Sequence, residues 1–237
     1  LMQAIILAGG KGSRLKPFTT NFPKPLVPIG DIPIVEIILK QLKYYGVKDV
    51  VLAVNHMADL IMAFFKNGEK LGLNISYSVE NEALGTAGPL SIIKNLNENF
   101  LVLNGDVLTT LDFKSFFDFH NKKKAVSTIA TFNKEIKIDL GVLETRDEVF
   151  DNYIEKPTYN FTVSMGIYAF NKSITKYLEK GVPLDIPDLI LRLKKNNKTI
   201  SCYKGNYDWL DIGRFDDYEM ATRIFKENKS KYLKGNI

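Results

Sequence analysis

The chain carries one cysteine, Cys202, in 237 residues. It can therefore form no disulfide within itself and no cysteine metal cluster of its own, which suits a reducing compartment. Histidine is scarce as well. His56 has no second histidine or carboxylate at ligand spacing, and His120 lies in a helical stretch that runs into lysines. Neither marks a metal site, and no nucleophilic triad is visible. No apolar run approaches the length of a membrane span, and the leading run at 4–8 is too short for a signal sequence. Met2, preceded by a single leucine, is read as the natural start. A cytoplasmic protein with no membrane partner is expected.

Charge of one sign is also lacking. The 32 lysines and arginines are interleaved with 27 acidic residues, leaving a net charge of +5. That pattern attracts small polyanions and shows no concentrated nucleic-acid footprint, so no nucleic-acid partner is expected. Lys122, Lys123, Lys124 and the lysine-rich stretch at 226–234 read as solvated faces. No Gly-, Pro- or Ser-rich linker, repeat or low-complexity segment divides the chain. The expectation is a single domain over 2–225 followed by a basic tail at 226–237, with a homo-oligomer possible.

What the chain does have is glycine in a telling place. The run "AIILAGGKGSRLKPFT" puts Gly9, Gly10 and Gly12 beside Lys11, Arg14 and Lys16, directly after an apolar strand pattern. Glycines here free the backbone to approach a ligand, and exposed N–H groups beside fixed cations form an anion cradle. The loop is neither a Walker A sequence, because Gly12 follows Lys11, nor a dinucleotide fingerprint, because the third glycine is missing. On the glycine pattern alone, a tight turn with solvated lysines fits as well as a phosphate site.

Short β-branched runs at 3–8, 49–54, 75–79 and 100–104 alternate with helical periods at 34–45, 60–65 and 87–94. This predicts an α/β fold with a mainly parallel sheet flanked by helices. Asp31 is the candidate cap of the helix at 34–45, with Pro33 near its first turn and Gly46 closing it. Beyond 110 the pattern predicts a helix at 113–121, a smaller β-rich lobe at 126–170, a helix opened by Asp185, and another at 215–225.

Ligands of an open parallel sheet sit at the carboxyl ends of its strands. There lie the loop at 9–14, the pair Asn55-His56, and Asn104-Gly105-Asp106. Asp106 is well placed to hold a hard cation against phosphate oxygens, and Asp211 in "WLDIG" is the candidate second carboxylate, since Mg2+ takes only one or two from the protein; either aspartate alone reads as a turn or cap residue, and the glycine loop shifts the balance. Lys24, between Pro23 and Pro25, presents its ammonium from a stiff segment. Glu155-Lys156-Pro157 is built similarly, and the loop at 80–90 can press backbone against a flat base.

The set "LAGGKGSRLKPFT", "PKPLVPI", "LGTAGPL", "NGDVL", "EKP", "MGIY" and "WLDIG" resembles the sugar-1-phosphate nucleotidylyltransferases, in the family's order and from Met2 to about Tyr218. Details of 55–65 and 165–170 are most similar to its mannose-1-phosphate guanylyltransferase-like members, which include enzymes acting on heptose phosphates. The resemblance implies a Rossmann-like catalytic domain, Mg2+ as cofactor, and transfer of a nucleoside monophosphate from an NTP, GTP favoured, to a sugar 1-phosphate, mannose or heptose type favoured. It implies that Leu7, Ala8, Gly9, Gly10, Gly12, Arg14, Lys24, Asn55 and Asp106 border the nucleotide and that Glu82, Gly85 and Thr86 border the base. It assigns Asp106 and Asp211 to the metal, and Gly141, Glu155, Lys156, Ser164, Gly166 and Tyr168 to the sugar phosphate. Arg14, Lys24, Asp106 and Lys156 carry catalysis in that reading. Many members have Asn-Ala-Gly where this chain has Ser164-Met165-Gly166. Some also carry a C-terminal left-handed β-helix; with about twenty residues after Tyr218, none is expected here. Thymidylyl, uridylyl or cytidylyl transfer, or a non-catalytic nucleotide-sugar-binding subunit, are the alternatives. A nicotinamide-dependent oxidoreductase is disfavoured by the missing glycine.

Overall fold

The computed structural model describes residues 2–235. Four parallel strands form its centre: β1 (Gln3–Leu7), β2 (Asp49–Val54), β3 (Asn74–Val79) and β4 (Asn99–Asn104). They stand in the order β4, β1, β2, β3, with Ile5 of β1 level with Val51 on one side and Val102 on the other. The apolar runs of β1, β2 and β4 are continuous because both their faces are covered, and Ala4, Ile5 and Ile6 are wholly buried, whereas the edge strand β3 is largely open to solvent. Helix α1 (Ile34–Tyr44) turns Ile34, Ile37, Ile38 and Leu42 into one face, as the 3.6-residue period demands. Helix α2 (Ala58–Phe65) follows β2.

Three local expectations change. Asp31 does not cap α1: its carboxylate holds Lys229 at 3.0 Å, the residue at the cap position is Pro33, and the N–H of Ile34 donates to the carbonyl of Val27 at 3.0 Å. The helix start is thus fixed by the small hairpin of Pro28–Ile29 and Ile32–Pro33. The period at 87–94 forms only a 3-10 turn, Gly88–Ser91, because the N–H groups of Ala87 and Gly88 both go to the carbonyl of Leu184. Asp185 does precede helix α4 (Ile186–Lys195), after α3 (Phe113–Lys123), but its carboxylate accepts from the N–H and hydroxyl of Thr86 at 3.0 and 3.1 Å. A cap signal in the sequence serves instead to pin a distant loop.

The second half adds β5 (Val107–Thr109), β6 (Ser127–Lys137), β7 (Val142–Arg146), β8 (Val149–Ile154), β9 (Thr158–Asn171), β10 (Ile200–Tyr203) and β11 (Trp209–Asp211). β9 runs antiparallel between β4 and β6, and β10 lies parallel to β6, completing a sheet in the order β10, β6, β9, β4, β1, β2, β3. The outer halves of β6 and β9 leave the core, and the hairpin of β7 and β8 stands exposed beside them in the sequence as a β-rich lobe. Helix α5 (Phe215–Glu227) and the short α6 (Lys229–Tyr232) close the chain. The lysines of the stretch read as a basic tail face solvent, while Tyr232 and Leu233 are buried in the main core. Residues 236 and 237 of that stretch lie outside the described residues. No helix among the described residues is long and apolar enough to cross a membrane.

Candidate active site

A cleft of about 380 Å3 opens at the carboxyl ends of β1, β2 and β4. It is lined by Leu7, Ala8, Gly9, Gly10, Gly12, Arg14, Lys24, Asn55, Gly85, Thr86 and Asp106, together with Glu80, Asn104 and Gly213. Of the residues expected to border a nucleotide, only Glu82 is absent from this lining, and it is exposed. Glu80, two residues earlier and directly after β3, takes that wall. Its place at a strand end was the available signal.

The glycine loop is tight for a stated reason. Gly12 has φ of +62°, and a Cβ there would stand 2.9 Å from the Thr19 methyl and 3.0 Å from the Lys24 Cβ. The hydroxyl of Thr19 donates to the carbonyl of Gly12 at 2.7 Å, so the loop is folded against the segment that presents Lys24. Lys24 begins the turn Lys24–Leu26, and its Nζ lies 2.5 Å from Asp106 Oδ2. The other oxygen, Asp106 Oδ1, is buried and has no hydrogen-bond partner.

Asp211 arrives beside Asp106 through strand pairing. β5 and β11 form an antiparallel ribbon in which Asp211 is level with Val107, and the N–H of Ile212 donates to the carbonyl of Asp106 at 2.9 Å. Burial, then the charge of Asp106, push the Asp211 carboxyl above its ordinary range, while Lys24 and Arg14 draw it back down. Gly213 follows immediately. A Cβ there would stand 3.3 Å from Asp211 Oδ2 and 3.5 Å from a guanidinium nitrogen of Arg14. Asp106, Arg14 and Lys24 thus line one end of the cleft, and Asp211, which is not itself part of the lining, stands next to them.

On the far wall, Asn55 Nδ2 donates to the carbonyl of Glu80 at 3.2 Å. Glu80 Oε2 accepts the N–H of Leu84 at 3.0 Å, while Oε1 lies 3.2 Å from where a Cβ on Gly9 would stand. Burial raises the Glu80 carboxyl, and the Leu84 N–H partly offsets that.

The residues expected to meet a sugar phosphate divide into two groups. Ser164 and Gly166 form a bulge where the β6–β9 register shifts, and Gly166, at φ of +71°, lies against Asn104 of the cleft lining. Tyr168 is buried in the core beneath them, and its hydroxyl accepts from Ser164 Oγ at 3.0 Å. None of the six is itself part of the cleft lining, and Gly141, Glu155 and Lys156 belong to the exposed outer lobe. Gly141 packs against the Tyr153 ring, and Lys156 is exposed with its Nζ 3.9 Å from Glu155.

The nucleotidyl transferase family model matches residues 3–228, which include every residue of the cleft. The chain belongs to this family. Among curated proteins it is 33% identical over 257 residues to a UTP–glucose-1-phosphate uridylyltransferase of Synechocystis, covering 99% of this chain and 66% of that protein. It is 33% identical over 241 residues to a mannose-1-phosphate guanyltransferase of Schizosaccharomyces pombe, covering 98% and 66%. The chain therefore spans just under two thirds of the length of these relatives. Among solved structures, HddC from Yersinia pseudotuberculosis matches with a TM-score of 0.72 at 25% identity, over 95% of this chain and 100% of that one. A Bacillus anthracis structure assigned as a glucose-1-phosphate thymidylyltransferase matches with a TM-score of 0.78 at 24% identity, over 100% and 97%, which speaks for the fold alone.

Nucleotidyl transferases of this family are generally divalent-metal dependent. This member has a donor set that fits: one buried, unpartnered carboxylate oxygen on Asp106 and a second carboxylate on the adjoining strand. Among the described residues no group of three or more His, Cys, Asp or Glu is placed to hold a metal ion.

Proposed function

We propose that this nucleotidyl transferase moves a nucleoside monophosphate from an NTP to a sugar 1-phosphate, forming an NDP-sugar and releasing pyrophosphate. The observation that carries this reading is Asp106, which engages Lys24 with one oxygen and keeps the other buried and free, opposite the glycine loop. In this reading the N–H groups of 9–12 and Arg14 hold the triphosphate, and Lys24 supports the α-phosphate. Asp106 and Asp211 hold Mg2+, which when bound neutralises phosphate oxygens.

The reaction requires one anion to attack another. An oxygen of the sugar phosphate bonds to the α-phosphorus, the bond from that phosphorus to the bridging oxygen breaks, and pyrophosphate leaves with the electron pair. No proton needs removing from the nucleophile, so cations matter more than a base. Arg14 and Lys24 supply them at the cleft, and Lys156 from the outer lobe meets the phosphate of the sugar as the lobe and cleft enclose it. Glu155, Gly141, Ser164 and Gly166 contact the sugar, with Tyr168 acting through its bond to Ser164.

GTP and a manno-configured sugar are the favoured pair. Glu80 supports the base: an ionised carboxylate only accepts hydrogen bonds, and guanine offers two adjacent donors, its N1–H and 2-amino group. The single donor of uracil or thymine is flanked by two carbonyls, which a carboxylate repels. The mannose-1-phosphate guanyltransferase relatives support the sugar. The lone Cys202 and the NTP substrate suit the cytoplasm. The deciding experiment measures pyrophosphate release with a panel of NTPs against several sugar 1-phosphates. Turnover with GTP and mannose or heptose 1-phosphate is expected; a clear preference for dTTP or UTP overturns the base assignment, and no release with any pair overturns the reaction.

A further inference from the structure

The ribbon of β5 and β11 that carries Asp106 and Asp211 is three residues long on each strand, about 10 Å from end to end. Only one end faces the cleft. At the other, the carbonyl of Thr109 accepts one hydrogen of the Gln41 side-chain amide at 2.8 Å, and the second hydrogen of that amide goes to the carbonyl of Tyr232 at 2.9 Å. Both bonds are buried. Gln41 is 6% exposed on α1, and Tyr232 is 2% exposed at the end of α6.

The same end is laced to Asp208. Its carbonyl accepts from the Thr109 hydroxyl at 2.7 Å and its N–H donates to the Thr110 hydroxyl at 2.8 Å. Its carboxylate takes Lys231 at 2.6 Å and the Tyr232 hydroxyl at 3.4 Å. Nothing local in the chain ties β5 to β11, and a two-stranded ribbon has little stability of its own. Two like charges at the cleft end push its strands apart. A clamp at the opposite end resists that.

We propose that Gln41 and Tyr232 are positioning residues for the cation: by fixing the far end of the ribbon they set the spacing of Asp106 and Asp211. The inference rests on the reading of those two aspartates as the cation's ligands. It gives a role in the site to a glutamine that lines no part of the cleft and to a tyrosine in a stretch that reads as a solvated tail.

The test is Mn2+ binding to the free protein, followed by the loss of the free-ion EPR signal, with thermal unfolding measured alongside. Gln41→Met keeps the volume and removes both bonds. It is expected to weaken Mn2+ binding about tenfold, the scale at which partners that orient metal ligands act. Tyr232→Phe removes one hydroxyl and is expected to weaken it about threefold. Gln3 is the control, a buried glutamine whose side chain donates to the carbonyl of Asn95 at 3.2 Å and accepts from the N–H of Asn97 at 2.8 Å. Gln3→Met is expected to lower the melting temperature and leave Mn2+ binding unchanged. In turnover, the Gln41 and Tyr232 variants should need more metal for half-maximal rate with the KM for NTP unmoved. Wild-type Mn2+ affinity in Gln41→Met, whatever its melting temperature, overturns the inference. If that variant does not fold, wild-type affinity in Tyr232→Phe does so. If Asp106→Asn binds Mn2+ as the wild type does, the ligand reading itself falls, and the inference with it.

Discussion

Lys24 Nζ lies 2.5 Å from Asp106 Oδ2, joining a proline-flanked turn to a strand end 82 residues further along the chain. Both side chains are largely shielded, at 11% and 22% exposure, so the pair is not a screened surface contact. The ammonium neutralises one side of a carboxylate whose other oxygen has no partner. In the proposed function that free oxygen is the one offered to a second cation, and Lys24 keeps the charge from being wholly uncompensated.

Asp106→Asn should therefore remove most turnover, by about a hundredfold or more, while the fold survives. Circular dichroism and a pyrophosphate-release assay with graded Mg2+ check this. Full wild-type activity in excess chelator, or an undiminished variant, would sink the two-carboxylate site.

Arg14 and Lys156 should fail in different ways, since one lines the cleft and the other stands exposed on the outer lobe. A charge-assisted contact contributes about 1.5–3 kcal/mol, or about ten- to a hundredfold in a binding or rate constant. Lys156→Ala should raise the KM for sugar 1-phosphate and leave NTP titration nearly unchanged, whereas Arg14→Ala should depress kcat and weaken NTP binding. The assignment is wrong if Lys156→Ala weakens NTP binding as much as Arg14→Ala does and spares the sugar phosphate.

Glu80→Gln replaces an acceptor-only group by one that also donates. The preference for GTP over UTP should narrow about tenfold, the worth of one hydrogen bond to a charged group. Competition between the two nucleotides in the same assay reads this out, and an unchanged ratio removes Glu80 from base selection. The variant's Leu84 contact, made by Glu80 Oε2, gives a reason to check the melting temperature in parallel.

His120 predicts a pH effect on stability. It is 1% exposed, its Nδ1 lies 2.7 Å from the Thr128 hydroxyl, and its Nε2 has no partner. Burial lowers its pKa from 6.5 to about 4. Between those values the unfolded chain binds a proton that the folded chain refuses, so stability is present above pH 6.5 and falls as pH drops towards 4. The loss attributable to this residue is roughly 3 kcal/mol at the bottom of that window. Urea unfolding from pH 8 to pH 4.5 should show a shallower decline in His120→Leu than in the wild type; identical slopes would remove His120 as the cause.

Much of the site was legible because its residues sit at strand ends, and strand ends follow from composition. β-Branched runs closed by glycine and polar residues mark where β1, β2 and β4 stop, and the carboxyl ends of parallel strands must lie together. Glu80 was read only as part of the loop at 80–90, because what aims its carboxylate at the cleft is the turn that brings the Leu84 N–H back onto Oε2 and the Asn55 side chain from the neighbouring strand end, and residue type shows neither. Asp31 and Asp185 looked like helix caps by position, but each found a stronger partner far away, Lys229 and Thr86. Tyr168 was expected at a sugar and is in the core, since an alternating strand decides by register, not by residue type, which side chains face inward.

The sequence by itself determined the alternation of strand and helix, the parallel sheet, the glycine loop and the two aspartates, because each depends on local propensity and on spacing along the chain. The tertiary structure decided what no local rule reaches. It brought Asp211 level with Val107, set Lys24 on Asp106, and spent both hydrogens of Gln41 on carbonyls 68 and 191 residues away. Those pairings are chosen by packing and by the need of buried polar groups for partners, and partners are found by position in space, not by distance along the chain.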